Sequence, residues 1–191
     1  KTIYVRHTAV VEREDELIDE FFEKVFHFAD SIGADKFVLD NRMHRGGNNY
    51  LNKSVITGII KSKIINRYGH FFVIIGAATF SAAQNLTNEL EKYTEAIFVF
   101  FPTWENVNSW GDYKTEVLPF SKLNIHLSWL WWQNMDPRDK RQWTSPNLAA
   151  EMSFENYKAG YDSSMNIILN YKDNKRIEEK IKNYVVSGNN E

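Results

Sequence analysis

The sequence predicts a single α/β domain, and three observations lead to this prediction. Short apolar runs alternate with segments of helical periodicity through the first half of the chain. The runs at residues 37–39, 71–75 and 96–101 are apolar throughout, as expected of buried strands. With 191 residues and a hydrophobic content of 43%, the chain can bury one sizeable core.

The first elements are predicted in the order strand, helix, strand, helix. Residues 2–11 alternate enough to form a strand. Residues 14–33 place apolar side chains at helical spacing, and this amphipathic helix is predicted to end near Gly33. Residues 37–39 form a short strand, and apolar positions within residues 51–60 mark the second helix.

A strand, a helix and another strand come next. Residues 71–75 are an unbroken apolar strand, and a helix is predicted from about Ser81 to Lys92. Residues 96–101 form the following strand, which Pro102 closes because proline cannot donate to a strand ladder. This alternation is typical of an α/β fold.

Residues 113–118 and 123–131 predict a strand pair. In the second segment, large apolar residues alternate with polar ones, which is the period of a half-buried strand. Core packing is the expected role of most of the tryptophans. Trp131 and Trp132, however, are adjacent and must point to opposite faces of a regular strand, so one of them is a candidate to line a groove.

The end of the chain is predicted to be helical. A polar loop at residues 136–146 precedes a helix predicted over residues 163–185, which becomes strongly charged from residue 172. We therefore expect one domain at residues 1–170 and a charged C-terminal helix at residues 171–191. The chain starts with a lysine and enters a strand at once, so an upstream domain is expected to be missing from this sequence.

Composition excludes several classes of function. The chain has 23 basic and 25 acidic residues, so no field of one sign predicts a nucleic-acid or anionic-membrane partner. It has no cysteine for a disulfide or a thiol nucleophile, and no apolar stretch long enough to span a membrane. No histidine or carboxylate cluster has metal-ligand spacing and no phosphate-binding loop is present, so no metal or cofactor is predicted.

Ser81 stands at the end of a buried strand and the start of a helix. The small residues between Gly76 and Ser81 allow a sharp turn, and free backbone N–H groups at a helix start can hold a developing oxyanion. This is how many folds present a nucleophilic hydroxyl. Small residues after a strand are also ordinary turn chemistry, so a purely structural role for Ser81 stays open.

A glycine pair follows the previous strand. Gly46 and Gly47 let the backbone turn its N–H groups toward a ligand, as an oxyanion hole requires, although a plain glycine turn is the alternative. Asp40 and Arg42 could brace this loop by a charge pair. Consecutive crossovers place both loops at one edge of a parallel sheet, so they can converge there.

Together the two loops predict an acyl-transfer site. Ser81 would attack, and the N–H of Ala82 with that of Gly46 or Gly47 would hold the oxyanion. His44 lies in the glycine loop and is a candidate general base, because a neutral imidazole has a suitable pKa. The alternative is that His44 is a solvent-facing loop residue.

Several short segments resemble, in order, motifs of the C-terminal processing, or tail-specific, serine proteases. They are the Leu-Asp-x-Arg and Gly-Gly segment at residues 37–48, the nucleophile turn at 79–84, the Pro-Thr strand end at 101–104, the Asn-x-aromatic-Gly-Asp segment at 108–112, the tryptophan segment at 143–151 and the Tyr-x-x-Gly-x-Asp segment at 157–162. The resemblance covers most of residues 2–170.

The resemblance implies a crotonase-like fold of repeated strand–strand–helix units, shared with tricorn protease and with retinoid-binding modules. It implies a serine endopeptidase acting on extended polypeptide, with Ser81 as nucleophile. It also implies a location outside the cytoplasm. A catalytically silent module that binds a peptide or an apolar ligand is the alternative, and an esterase or crotonase-type acyl enzyme is a third reading.

Four positions depart from the family pattern by losing a charge. Asn106 takes the place of the lysine that acts as general base in the best-known members, and an amide cannot take a proton. Gln84 and Phe101 stand where glutamate is common, and Asn147 stands where aspartate is usual. The sequence therefore predicts a serine site without its expected base.

Overall fold

A computed structural model describes residues 1–172 of the chain. In chain order, the strands are β1 (Thr2–Arg6), β2 (Lys36–Asp40), β3 (Phe71–Ile75), β4 (Ile97–Phe100), β5 (Asn108–Val117), β6 (Asn124–Gln133) and β7 (Leu148–Ala149). The helices are α1 (Ile18–Ser31), α2 (Asn52–Lys61), α3 (Ala82–Tyr93), α4 (Phe154–Lys158) and α5 (Ser163–Asn170). A 3-10 turn at Asn49–Leu51 precedes α2.

A five-stranded parallel sheet forms the centre of the fold. Its order is β1-β2-β3-β4-β7, and every neighbouring pair is parallel. The predicted α/β class with a parallel sheet is therefore confirmed. Since parallel strands end at one edge, the loops after β2, β3 and β4 all leave from the same edge of the sheet.

Two of the three interior strands, β2 and β3, are buried along their whole length. Successive side chains point to opposite faces, so Phe37 and Leu39 pack toward α1, α2 and α3, whereas Val38 and Phe72 pack toward α5. Burial on both faces is the reason that residues 37–39 of β2 and all five residues of β3 are apolar.

Two predicted elements are shorter than expected. The first strand ends at Arg6, and Val10 makes only a single parallel bridge with Gly47. The last predicted helix begins at Ser163 but ends at Asn170, where Tyr171 is extended and the Lys36 ammonium group donates to carbonyl oxygens of the final turn. The remainder of the predicted helix, from residue 173, lies outside the described residues.

The β5–β6 hairpin is antiparallel, as the predicted strand pair suggests, but longer. The expectation of a half-buried strand is wrong for β6, whose residues are exposed or only partly covered. The two strands form a separate two-stranded sheet, and within residues 1–172 most of their side chains are exposed. For the same reason most tryptophans do not pack in the core, and Trp129 is 63% exposed.

No helix within residues 1–172 is long and apolar enough to cross a membrane.

Candidate active site

Ser81 occupies a sharp turn between β3 and α3. Its backbone lies at φ 57° and ψ −124°, an unusual conformation for a residue with a side chain, and the residue is exposed as the N-cap of α3. Thr79 holds the turn, because its hydroxyl donates to the carbonyl of Asn41 at 2.9 Å and accepts from the Gly76 N–H at 3.0 Å. A strained strand-to-helix turn that exposes a hydroxyl is the known geometry of a nucleophilic serine.

The glycine loop lies directly against this serine. Gly46 has φ +97°, and a Cβ atom added there would lie 2.8 Å from the Cβ of Ser81. The Phe80 N–H also donates to the carbonyl of His44 at 3.1 Å. The structure thus brings the loops after β2 and β3 together, and it requires a glycine where they touch.

The two glycines differ in the state of their N–H groups. The Gly46 N–H donates to Nδ1 of His44 at 3.0 Å and is therefore occupied. Within residues 1–172, the N–H groups of Gly47 and Ala82 have no hydrogen-bond acceptor. Of the two alternatives for the first oxyanion donor, the geometry favours Gly47.

A cavity of about 270 Å3 lies in front of the serine. Its walls come from the glycine loop, the first turn of α3 and the hairpin. Its lining residues are Gly47, Asn48, Asn49, Tyr50, Ser81, Ala82, Asn85, Asp112, Trp129, Leu130 and Trp132.

The hairpin contributes an aromatic wall to this cavity. The indole N–H of Trp132 donates to the carboxylate of Asp112 at 2.9 Å, and the ring lies 6.3 Å from that of Tyr50. Trp131 points the other way and packs 5.3 Å from Trp110. One of the two adjacent tryptophans therefore lines a groove, as the sequence indicates.

His44 is fully buried, so the alternative of a solvent-facing loop residue is wrong. Its Nδ1 accepts the Gly46 N–H, and its ring packs 4.4 Å from that of His7. Burial, with the adjacent His7, lowers the pKa of His44 to about 3, so the imidazole is neutral at physiological pH. His44 makes no hydrogen bond with Ser81, and in this geometry it supports the glycine loop.

Glu105, which no sequence pattern marks as a site residue, contacts Ser81 instead. Its carboxylate accepts the backbone N–H of Ser81 and, at 2.9 Å, the hydroxyl of Ser109. Burial raises the pKa of this carboxyl group above its usual range. The neighbouring Asn106 is exposed.

The other positions that depart from the family pattern have structural roles or face solvent. The Gln84 amide donates to Asn88 at 2.8 Å and to Thr144 at 3.0 Å within the buried face of α3. Asn147 exchanges hydrogen bonds with the backbone of β4. Phe101 is exposed.

An ion-pair network of Arg42, Asp40 and Asp162 stabilises the start of the glycine loop, at the end of β2. Arg42 contacts the buried carboxylate of Asp40 at 2.9 Å and that of Asp162 at 2.7 Å. Tyr4 donates its hydroxyl to Asp40 at 2.5 Å. Asp162 also caps α5. The predicted pair of Asp40 and Arg42 is thus present, and it joins two of the family-like segments.

No protein-family model matches the sequence, and no curated protein matches it. Solved structures do resemble the fold. A candidate S41 protease from Bacteroides fragilis has a TM-score of 0.59 at 16% identity, with 88% of this chain and 51% of that chain covered. A candidate peptidase from Parabacteroides merdae has a TM-score of 0.60 at 13% identity, with 87% of this chain and 59% of that chain covered.

The photosystem II D1 C-terminal processing protease has a TM-score of 0.50 at 14% identity, over 78% of this chain and 42% of that chain. The fold is therefore that of C-terminal-protease-like peptidases. This chain spans about half the length of the three proteins.

Proposed function

We propose that residues 1–170 are a serine-type peptidase domain that cleaves extended polypeptide through an acyl-enzyme on Ser81. The observation that carries this proposal is the strained Ser81 turn held against Gly46, with the unoccupied N–H groups of Gly47 and Ala82 on the same cavity. In this proposal the fold is the crotonase-like one that the family motifs imply.

The reaction would use the two loops in turn. Ser81 Oγ attacks the carbonyl carbon of the scissile peptide, and the electron pair of the C=O bond moves to oxygen. The N–H groups of Gly47 and Ala82 hold that oxyanion, with added stabilisation from the positive end of α3. Collapse of the intermediate expels the amine and leaves an ester on Ser81, which water then hydrolyses.

The substrate would enter along the hairpin wall. Trp129, Trp132 and Tyr50 give the cavity an apolar side suited to a substrate side chain, and Asn85 gives it a polar group. A polypeptide is therefore the proposed partner. A location outside the cytoplasm, which the family resemblance implies, belongs to the same proposal.

A catalytically silent binding module is the second candidate. A specific observation favours it: within residues 1–172 the Ser81 hydroxyl makes no hydrogen bond, and the position of the family lysine is held by the exposed Asn106. Such a module would keep the cavity and bind an extended peptide or an apolar ligand without cleaving it.

Active-site labelling separates the two candidates. The full-length protein is treated with a fluorophosphonate probe beside Ser81→Ala and a control, Ser31→Ala, which removes an exposed hydroxyl at the end of α1. The peptidase proposal expects labelling of the wild type and the control but not of Ser81→Ala. Absence of labelling in all three would favour the silent module.

A further inference from the structure

An active serine needs a group that takes its proton, and the described residues offer few candidates. The family lysine is absent, Asn106 is exposed, and His44 is buried with its Nδ1 committed to Gly46. We infer that Glu105 is the general base that accepts the proton of the Ser81 hydroxyl. This inference rests on the proposed peptidase function and deepens it.

The position of Glu105 is the first support. Its Oε2 accepts the Ser81 backbone N–H, so the carboxylate is fixed beside the nucleophile. Three covalent bonds separate that nitrogen from Oγ, and a rotation about χ1 moves the hydroxyl among its three staggered positions. Catalytic hydrogen bonds are often formed only when substrate is bound, so the absence of one here is compatible with the role.

The partners of Glu105 are the second support. Both oxygens accept from neutral donors, the Ser81 N–H and the Ser109 hydroxyl. No Lys or Arg within residues 1–172 pairs with this carboxylate. A carboxylate that is partly buried and lacks a cation keeps its affinity for a proton, which is what general-base catalysis requires.

Asp112 is the carboxylate that lines the cavity, whereas Glu105 reaches the site through the Ser81 backbone, and the contacts of the two residues differ. Asp112 accepts the indole N–H of Trp132 and has no hydrogen bond to Ser81. Its contacts therefore fix the hairpin wall, whereas those of Glu105 fix the nucleophile.

Glu105 would carry one proton in each half of the reaction. As Ser81 Oγ attacks the peptide carbonyl, its proton passes to Glu105, which becomes a neutral carboxylic acid. The acid then gives this proton to the departing amine and returns to the carboxylate. In the second half, Glu105 takes a proton from the attacking water, and that proton returns to Oγ when the ester bond breaks.

A purely structural role would have Glu105 cap the start of α3, where a negative charge is favourable. Glu105→Gln separates the two roles. The amide oxygen of glutamine can still accept the Ser81 N–H, but the side chain cannot take a proton. Glu95→Gln is the matched control, because Glu95 is exposed at the opposite end of α3, ahead of β4.

The test measures the rate of fluorophosphonate labelling for the full-length wild type, Glu105→Gln, Glu95→Gln and Asp112→Asn between pH 4 and 9. We expect Glu105→Gln to label about 100-fold to 10,000-fold more slowly, which is the usual loss when a general base is removed. Glu95→Gln should label at the wild-type rate. The wild-type rate should rise with pH as Glu105 loses its proton, because burial raises the pKa of this carboxyl group.

The outcomes distinguish this inference from the function on which it rests. Equal labelling of wild type and Glu105→Gln would overturn the inference alone, as would a loss confined to Asp112→Asn. No labelling of the wild type at any pH would overturn both. If Glu105→Gln does not fold, as judged by its thermal unfolding, the wild-type pH profile decides, and a rate that stays constant from pH 4 to 9 rejects a carboxylate base.

Discussion

The contact between Gly46 and Ser81 can be tested by adding a single methyl group. Gly46 lies at φ +97°, and its added Cβ would lie 2.8 Å from Ser81 Cβ and 3.1 Å from both Ala82 N and Phe80 O. These atoms belong to the turn that presents the serine, and two of them are backbone. They can move away only if the turn itself moves.

The expected loss of stability has two parts. Placing a residue other than glycine in a left-handed conformation costs about 1–2 kcal/mol. Forcing a methyl group into a filled space costs about 1–3 kcal/mol more. Gly46→Ala should therefore lower the free energy of unfolding by about 2–5 kcal/mol.

The chain provides a matched control at Gly33. It also has a positive φ, +58°, but an added Cβ there would have no atom within 4 Å. Gly33→Ala should therefore show the backbone cost alone, about 1–2 kcal/mol. The difference between the two variants measures the close approach of the loops.

Urea denaturation gives both free energies, and fluorophosphonate labelling gives the effect on the site. Since a misplaced catalytic group commonly loses about 100-fold in rate for a displacement of about 1 Å, we expect labelling of folded Gly46→Ala to slow by about tenfold to 100-fold. Labelling of Gly33→Ala should be unchanged. Equal losses of stability in the two variants, with equal labelling, would refute the close-approach reasoning.

Three further predictions concern stability. Arg42→Met leaves a buried carboxylate without its cation and should cost about 3–5 kcal/mol. Arg138→Met, at a fully exposed ion pair, should leave the free energy of unfolding nearly unchanged, and equal losses for the two variants in urea denaturation would contradict the network. His7 and His44 have pKa values lowered by burial to about 4 and about 3, so the unfolded chain binds more protons than the folded one below about pH 6.5. The free energy of unfolding should therefore be level above that pH and should fall by up to about 1.4 kcal/mol per pH unit for each histidine on acidification toward pH 4. Urea denaturation at pH 7, 6 and 5 checks this. A free energy that does not change with pH, or a pH dependence that His44→Asn does not reduce, would contradict the prediction. Lys36→Met removes the ammonium group that donates to carbonyl oxygens at the end of α5, so the free energy of unfolding should fall by about 1.5–3 kcal/mol. A fall of less than about 0.5 kcal/mol in urea denaturation would contradict this prediction.

Much of the fold follows from local patterns. The unbroken apolar run at residues 71–75 predicts a strand buried on both faces, and β3 is that strand. The predicted helix from Ser81 to Lys92 differs from α3 by one residue at each end. The strand pair at residues 113–118 and 123–131 is also present, but its burial is not predictable, because alternation indicates two different faces and does not reveal whether another layer covers either of them.

Only part of the candidate site can be predicted from the sequence. Ser81 and the glycine pair are recognisable in the sequence, because a sharp turn after a strand requires small residues at fixed places. Glu105 gave no such signal. It lies in a loop, where side-chain direction has no regular period, and the position expected from the family lysine, Asn106, is one residue away.

The sequence by itself determined the class of fold, the order of the central strands and helices along the chain, and the position of the serine at the turn into α3. These properties depend on periodicity and on turn chemistry, which act between residues close in the chain. Only the tertiary structure decided that His44 is buried, that Gly47 rather than Gly46 has an unoccupied N–H, and that the Glu105 carboxylate contacts Ser81. Each of these depends on how segments far apart in the chain approach one another, and that approach sets burial and hydrogen bonding at the site.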